Sequence, residues 1–313
     1  MRSRRPPDEG RLIQLVYYGY VVASAIARAV PERLVYALAE VVGSWSFRLL
    51  AKKRAVVARN LARVTGLPAE SEDVRELTER AFRSYARYWL ETFRLVREGS
   101  EFFLDRFRLD HDERLDAVLA RGAGAVVVVG HLGNWDAAGA WVGATGRRLV
   151  TVAEVLKPRR MFEFFADHRA RLGMTIFPAE SGVTERLSGA VRDGAIVAIL
   201  GDRDLRGKGP EVKFFGEPTT LPAGPAVIAL RTGVPILVAG VYGVTRAGGK
   251  RGWEGEMSEP IELPAETGPE AIRELTQRIA EQLEAFVARR PEEWHVFQPF
   301  WLADRGSRKD KKR

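Results

Sequence analysis

The sequence predicts an α/β protein: a mostly parallel central sheet flanked by helices, carrying an N-terminal membrane-associated helical annex. Three observations point there. Five short β-branched runs alternate with helical patterns between residues 125 and 242, two mixed apolar stretches precede them, and a long amphipathic pattern joins the two parts. The 313 residues, 46% hydrophobic and 29% charged, suffice for a large buried core and exclude a disordered chain or a polytopic membrane protein.

From Leu12 to Ala27 the chain reads LIQLVYYGYVVASAIA, about a turn short of the ~20 apolar residues that span a bilayer. A second stretch, LVYALAEVVGSWSFRLL, runs from Leu34 to Leu50 just after Pro31 and Glu32. No clean small-residue cleavage site follows the first stretch. The pair reads as a helical hairpin embedded in one leaflet, the alternative being two helices packed on the protein core. Lys52, Lys53 and Arg54 are expected to mark the return to headgroups or water.

Between Ser71 and Arg97 the residues Val74, Leu77, Ala81, Phe82, Tyr85, Tyr88 and Trp89 recur at helical spacing and predict a long amphipathic helix. Strands are expected at Ala125–Val129, Leu149–Ala153, Met174–Phe177, Ile196–Leu200 and Ile236–Tyr242, each bounded by glycine, proline or charge. Helices are expected between them at Ala137–Ala144, Arg159–Leu172, Val183–Arg192 and Ala223–Thr232. This alternation is that of a parallel sheet covered on both faces. A last helix, from about Pro269 to Arg289, leads into PEEWHVFQPFW. Without internal repeat or low-complexity linker, residues 1–304 read as a single domain. Residues 11–51 are its membrane-associated part, about 66–304 the α/β body, and 305–313 a basic disordered tail.

Composition narrows the chemistry. The absence of cysteine excludes disulfide frameworks, thiolate zinc sites, iron–sulfur clusters and cysteine nucleophiles. Four histidines, at 111, 131, 168 and 295, form no HExxH pair, so no metal site is expected. The net charge of +8 suggests an anionic partner. Arg2, Arg4 and Arg5 open the chain and Arg305, Arg308, Lys309, Lys311, Lys312 and Arg313 close it, an arrangement suited to an anionic membrane surface, where each charge adds roughly 1 kcal/mol. Nucleic acid is not expected, because zinc-finger and RNP motifs are lacking and the basic clusters flank apolar helices. Gly207-Lys208 has the wrong glycine spacing for a P-loop, and no Ser or Thr follows the lysine.

The most informative segment is VVVVGHLGNWDAAG, Val126–Gly139. His131 falls at the carboxyl end of a buried strand, where open α/β sheets place ligands. Within one continuous helix His131 and Asp136 stand roughly 140 degrees apart. They meet only if His131 lies in the loop and Asp136 in the first turn of the next helix, and Gly130, Gly133 and Asn134 supply the turn chemistry. An aspartate against the imidazole fixes its tautomer and leaves the other nitrogen to act as general base. The alternative is that Asp136 only complements the helix dipole.

His131 through Asp136 resembles the HxxxxD/E motif of the glycerophospholipid and lipid A acyltransferases. The chain is most similar to the branch with the lipid A lauroyl and actinobacterial phosphatidylinositol mannoside acyltransferases. The resemblance extends over nearly the whole chain. It includes ARNLARVTG at Ala58–Gly66, EVLKPRRMFEFFADHRARLG at Glu154–Gly173, GDRDLRGKGPEVKFFGEPTTLPAGPAVIALRTGVPI at Gly201–Ile236, and the terminal PEEWHVFQPFW. DRDL at Asp202–Leu205 and WHVFQPFW resemble the mannoside enzymes more than the lipid A enzymes.

The resemblance implies acyl-CoA as co-substrate, an acceptor hydroxyl and no cofactor. With no cysteine and no GxSxG elbow, direct transfer is expected. His131 is the expected base, Asp136 its holder, and backbone amides at the helix entry the oxyanion donors. Asn134, Glu154, Arg169, Asp204 and Glu211 are the expected substrate-binding residues. In the mannoside enzymes residues placed like Glu154 and Arg169 line the polar headgroup site, and Arg169 is assigned a lipid phosphate. Asp204 and Glu211 are alternatives for a further carboxylate near the dyad, while Asp202 and Arg203 read equally well as a structural ion pair. His168 is expected at the surface, His111 in a loop or cap, and His295 in packing. The expected protein is a monomer at the cytoplasmic face of the cell membrane, peripheral or monotopic. It acylates a mannose hydroxyl of a phosphatidylinositol mannoside glycolipid. The alternatives are lipid A-type acylation of another glycolipid and a non-enzymatic membrane-surface scaffold.

Overall fold

Pro31 breaks the apolar N-terminal sequence into helices α1 (Arg11–Ala29) and α2 (Glu32–Leu49), and α3 (Ala51–Thr65) follows at Leu50. The computed structural model describes residues 11–204 and 207–305. Both α1 and α2 pack on α4 (Glu72–Leu95), whose start is capped by the Ser71 hydroxyl accepting from the Val74 amide at 3.3 Å. Val35, Ala39, Gly43 and Phe47, four residues apart, form the buried stripe of α2. At Gly43 a Cβ would come within 2.4 Å of the Arg83 Cα, so glycine sets how closely α2 approaches α4.

The other face of the annex stays apolar and open: Leu15, Tyr18, Val22 and Ile26 on α1, and Leu34, Val41, Trp45 and Leu49 on α2, are exposed. The annex therefore packs one face on the core, as the alternative reading expects, and turns the other outward. No single described helix is long and apolar enough to cross a membrane; α2 and α3 pass such a test only as a pair, bent by 99°. In the basic cluster after α2, Lys52 and Lys53 are exposed. Lys53 donates to the Phe297 carbonyl at 3.1 Å and Arg54 to the Phe47 carbonyl at 2.8 Å, so both are structural contacts at the start of α3. Arg305 likewise donates to the hydroxyls of Thr220 and Thr219, at 2.7 and 3.1 Å, and is docked. Residues 306–313 and the arginines at 2, 4 and 5 lie outside the described residues.

The α/β body then runs α5 (Ser100–Arg106), β1 (Phe107–Asp110), α6 (Asp112–Leu119), β2 (Ala125–Val129), α7 (Trp135–Ala144), β3 (Leu149–Ala153) and α8 (Arg159–Arg171). After these come β4 (Met174–Pro178), α9 (Val183–Arg192), β5 (Ile196–Leu200), the hairpin β6 (Glu211–Phe214) and β7 (Glu217–Thr220), α10 (Gly224–Thr232), β8 (Ile236–Thr245), β9 (Arg251–Met257) and α11 (Pro269–Arg289). Seven strands form one sheet in the order β1-β9-β8-β2-β5-β3-β4, parallel except where β9 runs against β8. The expected mostly parallel sheet is present, and all five expected strands belong to it.

Period-two alternation in β2 divides the core between the faces. Val126 and Val128 pack with Leu187 of α9, Ile228 of α10 and Leu283 of α11. Ala125 and Val127 pack with Leu115 of α6, Trp141 of α7 and Phe103 of α5. Helices on both faces leave the carboxyl ends of β2 and β5 as the place where polar side chains collect.

Candidate active site

Strands β2 and β5 are parallel neighbours with Val129 opposite Leu200, and each is followed by a glycine, Gly130 and Gly201. The next residue on each strand is therefore at the same level. His131 Nδ1 lies 2.6 Å from Asp202 Oδ1, and Asp202 Oδ2 accepts from the His131 amide and from Trp294 Nε1, both at 2.9 Å. Asp202 is completely buried. Burial alone would raise its pKa, but the His131 charge and the hydrogen bonds from His131 and Trp294 outweigh it and hold the carboxyl below the ordinary range. An ionised Asp202 only accepts, so Nδ1 carries the proton and Nε2 is the basic nitrogen.

The loop that holds His131 is fixed from several sides. The His131 carbonyl accepts from the His295 amide at 2.7 Å, and the Gly133 amide donates to the Glu293 carbonyl at 2.9 Å. Gly133 has φ +59°, and a Cβ there would sit 2.2 Å from the Val241 carbonyl oxygen, which requires glycine. The amides of His131 and Gly133 are thus taken, and the Ala137 amide donates to Asn134 Oδ1 at 3.0 Å. These three cannot be the expected oxyanion donors.

His131 does lie in the loop and Asp136 in the first turn of α7, yet the two do not pair. Asp136, 1% exposed, accepts from Arg169 Nε at 2.6 Å, from Arg169 Nη2 at 3.3 Å and from the Tyr88 hydroxyl at 2.9 Å. Its side chain points to α4 and α8, so Asp202 takes the place expected of Asp136. Burial would raise the Asp136 pKa, but Arg169 and Tyr88 bring it below the ordinary range. The Tyr88 phenol is pushed well up by burial and by Asp136.

His131 opens on a cleft of about 620 Å³ that is also lined by Tyr85, Glu154, Arg169, Arg203 and Asp204. A largely apolar cavity of about 100 Å³ lies between α7 and the sheet, walled by residues such as Val127, Ala138, Trp141 and Met174. The two adjoin, sharing Trp135, Val152, Arg169 and Leu200 as walls. Trp135 lies edge-on to His131, ring centroids 5.1 Å apart, and its indole Nε1 is buried without a partner.

The other expected residues divide. Glu154 is an exposed wall of the cleft, and Arg169 reaches it while committed to Asp136. Asp204 also lines the cleft, where it accepts from the amides of Gly207 and Gly209 at 2.9 and 2.7 Å. Glu211 is exposed at the start of β6 and is not among the cleft walls. Asn134 is 2% exposed and caps α7 while donating to Glu91 Oε2 at 2.9 Å, a structural position. Glu91 Oε2 also accepts from Trp253 Nε1 at 3.0 Å. Asp202 does not pair with Arg203. His111 occupies the cap position before α6, as expected, and His295 is packed, with Nε2 3.0 Å from the Ser84 hydroxyl. His168 is buried, against expectation, because the apparently polar α8 turns it inward against α4 near Thr92.

Comparison with known proteins gives the class, an acyltransferase. The bacterial lipid A biosynthesis acyltransferase family matches residues 9–303, and the chain belongs to that family. It is 37% identical over 254 residues to the phosphatidylinositol mannoside acyltransferase of Mycobacterium tuberculosis, covering 79% of this chain and 76% of that one. It is 35% identical over 313 residues to the protein of the same name from Mycolicibacterium smegmatis, covering 96% and 95%.

Proposed function

We propose that the protein moves a long fatty acyl chain from acyl-CoA to a mannose hydroxyl of a phosphatidylinositol mannoside at the cytoplasmic face of the membrane. The observation that carries this reading is the pairing of His131 with buried Asp202 at the mouth of a cleft that adjoins an apolar cavity. The acyl chain is directed toward the apolar cavity, and the polar substrate parts lie in the cleft. His131 Nε2 takes the acceptor hydroxyl proton as that oxygen attacks the thioester carbonyl. The carbon–sulfur bond breaks, and the coenzyme A thiolate leaves with the proton returned by His131. Asp202 stabilises the imidazolium between these events. The Trp135 indole N–H, at the wall between cleft and cavity, is the donor to the developing oxyanion. No cofactor takes part.

The similarity to the two mycobacterial proteins supports the choice of acceptor. Purified protein given labelled palmitoyl-CoA and a lipid extract containing phosphatidylinositol mannosides is expected to yield an acylated mannoside, identified by mass spectrometry. Acylation of lipid A precursors in place of mannosides would overturn the acceptor assignment.

A further inference from the structure

Among the described residues, Arg203 alone of the cationic and imidazole side chains lining the cleft has neither an acidic nor a hydrogen-bonding partner. His131 is paired with Asp202 and Arg169 with Asp136. His295 rests on Ser84, and burial together with Arg87 and His131 holds it well below the ordinary histidine pKa, hence neutral. Arg203 has no hydrogen bond or ion pair to any described residue, and its Nε is buried. The acids that line the cleft with it, Glu154, Glu180 and Asp204, form no ion pair with its fork. Asp204 holds the amides of Gly207 and Gly209, Glu180 faces Arg159 at 3.9 Å, and Glu154 is exposed to solvent.

A partly desolvated guanidinium without a partner costs free energy unless an anion completes it. Its planar fork matches phosphate oxygens in a bidentate way. The surroundings add positive potential, since the first turns of α9 and α10 also line the cleft and neither carries a side-chain cap. We propose that Arg203 binds a phosphate group of a substrate held in the cleft. The sequence reading assigned that phosphate to Arg169, whose fork the Asp136 carboxylate already fills. The identification of the ligand rests on the transfer reading above, in which both substrates carry phosphate: coenzyme A its diphosphate and 3′-phosphate, the acceptor lipid its phosphodiester.

The test compares wild type with Arg203→Met, which keeps the apolar stem, and Arg203→Lys, which keeps the charge. Coenzyme A and glycerophosphoinositol are titrated into each by calorimetry. Arg203→Met is expected to weaken one of them by about tenfold or more, with partial recovery in Arg203→Lys and a melting temperature equal to or above wild type. Loss confined to coenzyme A assigns the phosphate to the donor. The KM for a palmitoyl-pantetheine thioester, which lacks phosphate, is then the same in wild type and variant. Loss confined to glycerophosphoinositol assigns it to the acceptor. Equal affinities in wild type and Arg203→Met, no binding of either compound by wild type, or a lowered melting temperature with loss of both would each overturn the proposal. A wild type that binds through Arg203 yet transfers no acyl chain sinks the transfer reading alone. Transfer with unchanged affinities sinks this one alone.

Discussion

Asp202 grips His131 twice, one carboxylate oxygen 2.6 Å from the ring Nδ1 and the other 2.9 Å from the backbone amide. Ring orientation and loop position are thereby set by one buried group, which Trp294 orients in turn. Asp202→Asn offers the ring an amide that can donate as well as accept, so the tautomer with a basic Nε2 is no longer enforced. Transfer is expected to fall by ~10² or more, comparable with His131→Ala, while circular dichroism stays native. Activity near wild type in Asp202→Asn would show that the pair does not serve as the base.

Asp136 acts on a different quantity. Its ion pair with Arg169 is buried on the Asp136 side and tied to Tyr88, so removal of one partner strands a charge. Arg169→Ala is expected to lower unfolding stability in urea by about 3–5 kcal/mol. Replacing both, Asp136→Asn with Arg169→Met, is expected to recover part of that loss. Strict additivity of the two changes would mean that they do not interact.

The pairing of Asp202 with His131 was within reach of the sequence. VVVVGH and VAILGD are two apolar strands that end alike, in glycine followed by a polar residue. Placing those strands side by side puts both polar residues at one level, but strand order is not encoded in either segment. Asp136 misled because its spacing from His131 fitted, while its true partner lies 33 residues away on α8. Strands at Ala125–Val129, Leu149–Ala153 and Ile196–Leu200 were legible to the residue because continuous β-branched runs are bounded there. Strand β9, RGWEGEM, was not, since glycines and charges interrupt any pattern and its extended form comes from pairing with β8. The four residues of β1 are too few to carry a period.

Glu91 is buried on α4 and accepts from both Asn134 and Trp253, so it ties the cap of α7 to β9. Tyr36 of α2, its phenol raised by burial and by Glu91, packs at the same point and links the annex to the site loop. Glu91→Ala leaves two buried N–H donors unpaired and is expected to cost about 1–3 kcal/mol each, with kcat reduced as the His131 loop loosens. Glu91→Gln keeps an acceptor and should lose less on both measures. Equal loss in the two variants would show that the charge, not the hydrogen bonds, matters.

Two buried histidines set the response to mild acid. Burial is the main cause that lowers both His295 and His168, so each is neutral in the folded protein where an unfolded imidazole, pKa about 6.5, takes a proton. Between the folded and unfolded values the unfolded chain binds more protons, and stability falls as pH drops, by up to about 1.4 kcal/mol per pH unit per histidine. Asp202 and Asp136, both depressed, add stability present above about pH 3.9 and lost only as pH falls toward their lower folded values. Melting temperatures from pH 8 to 5 should therefore decline below about 6.5, and His295→Phe should flatten that slope. An unchanged slope in His295→Phe would assign the decline to other groups.

The open apolar face of the annex is the feature through which we expect membrane attachment. Deleting residues 1–50 is a poor test, because Val35, Ala39 and Phe47 cover α4 and their loss would expose Leu77 and Phe82. Trp45 and Leu49, 58% and 70% exposed, can be changed without touching that packing. Trp45→Glu with Leu49→Glu should leave the urea midpoint nearly unchanged. Each side chain contributes roughly 1.5–3 kcal/mol if it is buried in acyl chains, so the double variant should partition onto anionic vesicles ~10²–10⁴ times more weakly. Salt screens the surface arginines but not apolar insertion, so it should release wild type only partly. Complete release of wild type by salt alone would show that α1 and α2 do not insert. Unchanged partition of the double variant would move the lipid contact elsewhere, to the cleft mouth beside His131 and Glu154.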